Sequence, residues 1–228
     1  MKWIDDILNL FFPAQCHLCG QELAPHERFL CTPCVEKLPR TGYHRDPRNP
    51  MEQRFAGQFP FVAATGHFFY SKDSSLSQLI QDMKYRNFPS IGVKLGKIAG
   101  KELYTAGFLS DIELIVPLPM HFLKQARRGY NQAERIASGI GEVSGLPVEK
   151  AIRMTRMRKT QTSMSREERL SNAYSLFAIN RGTDLSGKGV LLVDDICTTG
   201  ATMGSAAKTL ADSFPGIRLY LFALGITF

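Results

Sequence analysis

The 228-residue chain is 44% hydrophobic and 21% charged, enough apolar content for one sizeable core and a small appendage. No apolar run approaches the roughly 18 residues that span a bilayer, which argues against a helical membrane protein. The net charge of +7 is uneven: residues 150–169 carry seven basic side chains against Glu167 and Glu168, and Lys124, Arg127, Arg128 and Arg135 face only Glu134. This excess is either a solvated basic face or a surface for a polyanion, whether a small phosphate ligand or a nucleic-acid backbone.

Residues 1–12 are apolar but include Asp5 and Asp6. The two aspartates break the longer apolar core that a secretion signal needs ahead of a small-residue cleavage site, so cytoplasmic residence is the expectation. They read as a short amphipathic helix, packed on the body or touching a membrane surface. Next come two C-x-x-C pairs, Cys16–Cys19 and Cys31–Cys34, separated by eleven residues. Such knuckles can deliver four thiolates to a structural zinc, and a region this small needs the metal for much of its folding energy. Paired disulfides, an iron–sulfur cluster and a redox dithiol are the alternatives. The module is placed at residues 1–42. Residues 43–58, rich in Pro, Arg, Asn and Gly, read as a linker to a second domain at 59–228.

In that second domain, strand composition appears at residues 59–70. Leu76, Leu79, Ile80 and Met83 have helical spacing, and residues 91–104 offer another helix. A short strand at 112–116 is stopped by Pro117 and Pro119. A helix follows from Asn131 to Val143, ended by Ser144 and Gly145. Residues 173–179 look like a strand. Residues 189–193 form a continuous apolar run suited to a central strand. A helix at 200–213 and a strand at 219–225 complete an α/β pattern with a mostly parallel sheet.

The central run ends in Asp194-Asp195-Ile196-Cys197-Thr198-Thr199-Gly200-Ala201-Thr202. An apolar strand thus delivers two carboxylates to its carboxyl end, where open α/β sheets bind ligands. Asp194 and Asp195 can accept hydrogen bonds from vicinal ribose hydroxyls with Mg²⁺ nearby. Thr198, Thr199 and Thr202 offer hydroxyls to a phosphate, Gly200 lets the backbone come close, and the helix start attracts an anion. Walker and dinucleotide glycine motifs are absent. Cys197 reads as buried filler ahead of a reactive thiol.

This run resembles the signature of type I phosphoribosyltransferases. With the cysteine module, the chain resembles the ComF family of phosphoribosyltransferase-like competence proteins. The resemblance is carried by Phe11-Phe12-Pro13, Cys16 and Cys19, Lys84-Tyr85, Val116-Pro117-Leu118-Pro119 and Arg128-Gly129-Tyr130-Asn131-Gln132. Arg156, Thr160, Gln161, Arg166, Asn172 and the phosphate loop continue it. It implies a phosphoribosyltransferase-like core that binds 5-phosphoribosyl-1-pyrophosphate with Mg²⁺ through Asp194, Asp195 and residues 197–202.

By the same resemblance, residues 117–132 hold pyrophosphate through Arg127 and Arg128. Residues 153–169 match a mobile basic loop in which Arg156, Arg158 and Lys159 are the main charges. Gln161 and Arg166 match the family spacing without an assigned role. If transfer occurs, the chemistry is that of a pentosyl glycosyltransferase, with Asp194, Asp195, Arg127 and Arg128 as catalytic candidates. No segment matches the hood that reads the base in type I enzymes. The expected role is therefore DNA uptake in natural transformation, with single-stranded DNA and competence-machinery proteins as partners. A nucleotide-salvage phosphoribosyltransferase with an unidentified acceptor is the alternative.

Overall fold

A computed structural model describes residues 14–86, 88–155 and 176–227. Four parallel strands form the central sheet in the order β1, β6, β5, β2, where β1 is Ala63–Phe69, β2 Leu114–Pro117, β5 Gly189–Cys197 and β6 Arg218–Ile226. Val190 to Val193 are fully buried, as a strand covered on both faces requires. Pro117, expected to stop β2, is its last residue. The Ile115 N–H points away from β5 to the Pro147 carbonyl and the Leu118 N–H points to Val193. Pro117 therefore sits where its missing N–H costs no sheet bond.

Beyond the short α1 (Thr32–Glu36) of the cysteine module, helices cover both faces. On one side lie α3 (Ser75–Tyr85), α4 (Pro89–Thr105) and α6 (Gln132–Ser144). The Leu76, Leu79, Ile80 and Met83 stripe of α3 is wholly buried there. Asn131 caps α6 by accepting from the Ala133 N–H, and Gly145 ends it in the left-handed conformation. On the other side lie α2 (Pro50–Phe55) and α7 (Ala201–Ser213), which bury Met51, Phe55, Met203 and Leu210. A helix not foreseen, α5 (Phe122–Arg128), interrupts the loop after β2. A small antiparallel pair, β3 (Ile152–Met154) and β4 (Phe177–Ile179), flanks residues 156–175. The amino-terminal amphipathic helix and the basic-loop residues Arg156, Arg158, Lys159, Gln161 and Arg166 lie outside the described residues.

The expectation of a linker at 43–58 does not describe what the segment does. It holds a 3-10 turn at Tyr43–Arg45 and the helix α2, with Met51 and Phe55 in the core. Asn49 is buried and fully used. Its amide donates to the Tyr43, Asp46 and Ala64 carbonyls, and its oxygen accepts from the Met51 and Glu52 N–H groups. Just before it, residues 39–41 run antiparallel along the free edge of β1. Thr41 donates to the His67 carbonyl at 3.0 Å, and Phe69 to Pro39 at 2.8 Å. A Pro- and Arg-rich composition concealed a segment whose two large apolar anchors, Met51 and Phe55, are buried.

The closest packing is between α4 and α6. A Cβ on Gly96 would lie 2.2 Å from the Ile136 carbonyl oxygen, and one on Gly139 2.2 Å from that of Val93. Gly92 faces Met83 of α3 and Arg135 of α6 at 2.8 and 2.9 Å, so three helices meet at one missing side chain. Gly96→Ala and Gly139→Ala should each cost about 3 kcal/mol, because backbone cannot move aside as a side chain can. Gly182→Ala, at a left-handed turn with open space around it, should cost only about 1 kcal/mol. Urea unfolding midpoints compare the three.

Candidate functional site

Asp194 and Asp195 stand near the carboxyl end of β5, half-buried, where the strand leaves its apolar cover. Each carboxylate first engages the backbone N–H of the next residue. Asp194 Oδ1 accepts from the Asp195 N–H at 2.8 Å, and Asp195 Oδ1 from the Ile196 N–H at 2.8 Å. Asp195 Oδ2 also pairs with Lys84 Nζ at 2.7 Å. Asp194 sits in a poorer environment. Burial, and then the neighbouring Asp195 carboxylate, push its carboxyl up to about 8.

Beyond the carboxylates the loop turns outward. Thr198, Thr199, Ala201 and Thr202 are exposed, while Cys197 is buried and Gly200 closes the turn at φ +80°. Burial pushes the Cys197 thiol up, as suits an inert sulfur packed inside. Gly200 is doubly constrained, since a Cβ there would also lie 2.8 Å from the Phe55 ring. Gly200 has no side chain to cap α7, and the Thr199 hydroxyl accepts from the Ala201 N–H at a long 3.4 Å. The first N–H groups of the helix otherwise lack the intrahelical partners of later turns.

Arg54 braces this loop from behind, a contribution that the sequence reading missed. Its Nη1 donates to the Cys197 carbonyl at 3.3 Å and to that of Thr198, and its Nη2 donates to the Thr227 carbonyl at 2.8 Å. The signal available was the start of its helix. Asn49 followed by Pro50 is a cap-and-first-turn pair, and Met51 and Phe55 are spaced four apart.

The last turn of α3 connects the carboxylates to the loop after β2. Lys84 reaches Asp195, while Tyr130 donates its hydroxyl to the Met83 carbonyl. Arg128, in the last turn of α5, lies over the Tyr85 ring, its Cζ 5.6 Å from the centroid, and donates to Gln132 at 3.4 Å. Arg127 is exposed on the same turn and is not bonded to the carboxylates. Among the described residues, the structure thus gathers Asp194, Asp195, Thr198, Thr199, Gly200, Ala201 and Thr202 in one loop. Lys84 stands against that loop, with Arg128 one residue away across Tyr85. A cavity of about 250 Å³ opens beside it, between Pro119, Phe122, Glu134, Lys150, Met154 and Asn180, and neither aspartate lines it.

The four cysteines of the amino-terminal module converge. Their sulfurs all lie within 4.8 Å of one another, and Cys19 and Cys31 are 3.7 Å apart. That spacing matches the edge of about 3.8 Å for a tetrahedron with 2.3 Å metal–sulfur bonds. It is far from the roughly 2.05 Å of a disulfide. The donor set fits one tetrahedral ion. Glu27 stiffens the knuckle by accepting from Ala24, from the Thr32 N–H and from the Thr32 hydroxyl. The module docks on α3. Gln78 donates to the His17 carbonyl at 2.9 Å, and His17 stands edge-on to Phe88 and 3.5 Å from Asp82.

Comparison with known proteins agrees with both halves. Residues 119–223 match the model of a phosphoribosyl transferase domain, and residues 7–45 that of a double zinc ribbon domain. The chain is 27% identical over 218 residues to Competence protein F of Haemophilus influenzae, covering 88% of this chain and 92% of that one. It is 24% identical over 212 residues to DNA utilization protein YhgH of Salmonella typhimurium, with the same coverage. It is 29% identical over 111 residues to Competence protein ComFC of Bacillus subtilis, covering 49% and 43%. The chain is a homologue of these ComF-type proteins, with a phosphoribosyltransferase-type α/β domain behind an amino-terminal zinc ribbon. Among the described residues no helix is long and apolar enough to cross a membrane.

The raised carboxyl of Asp194 gives a stability test with a definite sign. The folded protein holds this proton well above the unfolded value of 3.8. Stability is therefore lost as pH rises between those limits, by at most about 1.4 kcal/mol per pH unit for one proton. Asp194→Asn removes this loss. Its melting temperature should exceed that of the parent at pH 8, with the gap closing toward pH 5. Parallel profiles would contradict the assignment.

Proposed function

We propose that the chain is a ComF-type competence or DNA utilization protein whose loop at 194–202 binds 5-phosphoribosyl-1-pyrophosphate with Mg²⁺. The observation that carries this reading is the meeting of two carboxylates with an open, hydroxyl-bearing turn at the carboxyl end of a buried strand. Asp194 and Asp195 accept hydrogen bonds from the ribose 2′- and 3′-hydroxyls. Thr198, Thr199 and Thr202, with the first N–H groups of α7, surround the 5-phosphate. Arg128 and Lys84 supply positive charge on the pyrophosphate side, with Arg127 beside them. Mg²⁺, when bound with the ligand, neutralises the pyrophosphate so that it can leave.

Single-stranded DNA is the second ligand in this reading, in keeping with a relative named as a DNA utilization protein. The charge excess at 150–169, with Arg156, Arg158 and Lys159, supplies its phosphate contacts. The zinc held by Cys16, Cys19, Cys31 and Cys34 is structural. Four thiolates fill its coordination shell, so the ion stabilises the module that rests on α3.

Thermal denaturation tests the ligand directly. 5-Phosphoribosyl-1-pyrophosphate with Mg²⁺ at 100 times its dissociation constant should stabilise the protein by about 2.7 kcal/mol. The shift should vanish in Asp194→Asn/Asp195→Asn, and no shift in the parent would remove the assignment. Pyrophosphate release that depends on a free base would favour nucleotide salvage instead. Metal analysis should find one zinc per chain, lost in Cys16→Ser/Cys19→Ser. For DNA, changing Arg156, Arg158 and Lys159 together to Glu should weaken binding and flatten its salt dependence. Unchanged binding would place the contact elsewhere.

A further inference from the structure

We infer that the last turn of α3 and the end of α5 form a base-stacking platform for single-stranded nucleic acid, with Tyr85 as the ring on which an unpaired base lies. The inference rests on the DNA part of the reading above and gives it a specific residue. Tyr85 is 71% exposed, the most open of the large hydrophobic side chains described as exposed. It lies off the buried stripe of α3, so the core does not account for it.

An exposed tyrosine is ordinary by itself, and its neighbours are what distinguish this one. Arg128 covers one side of the ring at 5.6 Å and, at this exposure, leaves the other side to solvent. Lys84 and Arg86 flank it in sequence, and Arg127 is exposed on the facing helix. Asp82 pairs with Arg86 at 3.3 Å and Asp195 with Lys84 at 2.7 Å, and Asp194 also lies within the field of Lys84. A ring held by a guanidinium and bordered by cations is the usual means of binding single strands. The aromatic face takes a base of any sequence, and the cations follow the backbone.

Its position adds a second argument. Through Lys84 the platform adjoins the carboxylate loop, and through Asp82 it adjoins His17 of the zinc module. A strand lying on Tyr85 would therefore run between the two halves of the molecule, its base on the ring and its phosphates toward Arg86 and Arg127. An acidic peptide could use the same charges but has no use for the open ring face, so the geometry favours nucleic acid.

The experiment uses the full zinc-bearing chain and two fluorescent oligonucleotides of equal length and charge, oligothymidylate and an abasic strand. Fluorescence anisotropy at one fixed salt concentration should show tighter binding of oligothymidylate. Tyr85→Ala should weaken that binding about ten-fold and leave abasic binding unchanged, while Tyr85→Phe should keep the preference. In a Trp3→Phe/Tyr85→Trp protein, the single indole should be quenched by oligothymidylate and not by the abasic strand.

If the parent binds neither strand, the DNA reading fails and the platform with it. If the parent binds oligothymidylate but Tyr85→Ala binds it equally well, the platform alone fails. Equal affinity of the parent for both strands, or equal displacement by poly-glutamate, would also overturn it, because attraction would then be charge alone.

Discussion

A strand buried on both faces cannot carry charge until it leaves the sheet, and β5 shows the consequence. From Val190 to Val193 it is apolar and fully buried, and the next two positions are aspartates. Two adjacent carboxylates at the rim of a core repel each other and lose water. The surroundings answer asymmetrically. Asp195 receives Lys84, whereas Asp194 is left with backbone and a raised affinity for its proton. The ligand proposed above, with hydroxyl donors and a divalent ion, would relieve both costs. Arg54 makes the neighbouring turn rigid by taking up its carbonyls, so the threonine hydroxyls and helix N–H groups remain outside.

That arrangement depends on where α3 ends, and α3 is positioned by the glycines of α4 and α6. Gly92 admits Met83 on one side and Arg135 on the other. Gly96 and Gly139 bring the two helices into backbone contact. Met83 then presents its carbonyl to Tyr130, and the following residue, Lys84, spans to Asp195. The missing side chains between two helices thus help set where an ammonium group stands in the site on the far side of α3.

The parts of the molecule set by local periodicity were legible in the sequence. The α3 stripe, the α4 and α6 helices, β5 and the carboxylate loop each announce themselves within a dozen residues. The cysteine spacing did the same for the metal cluster. Arg54 was not legible, because its partners lie 143 and 144 residues further along the chain and no local pattern links them. Residues 43–58 misled because Pro, Asn and Arg are common both in linkers and in a capped two-turn helix anchored by Asn49. Lys84 could be named as part of a motif, but its pairing with Asp195 follows only from packing. The short α5 and β3 are below the length at which periodicity separates helix, strand and loop, whereas β4 falls inside the strand expected at 173–179.

The pairing of residues 39–41 with β1 gives the zinc module a bearing on solubility. Sheet edges with unpaired N–H and C=O groups invite other chains to join them, and β1 would present such an edge if the preceding segment were absent. The stretch leading out of the zinc knuckle occupies it, and Asn49 and Phe55 lock the chain onto the core directly afterwards. Cutting the chain at residue 42 or 58 would sever a sheet and a core, not a hinge. The segment that leaves the amino-terminal module thus satisfies backbone groups that the outermost strand would otherwise leave unpaired.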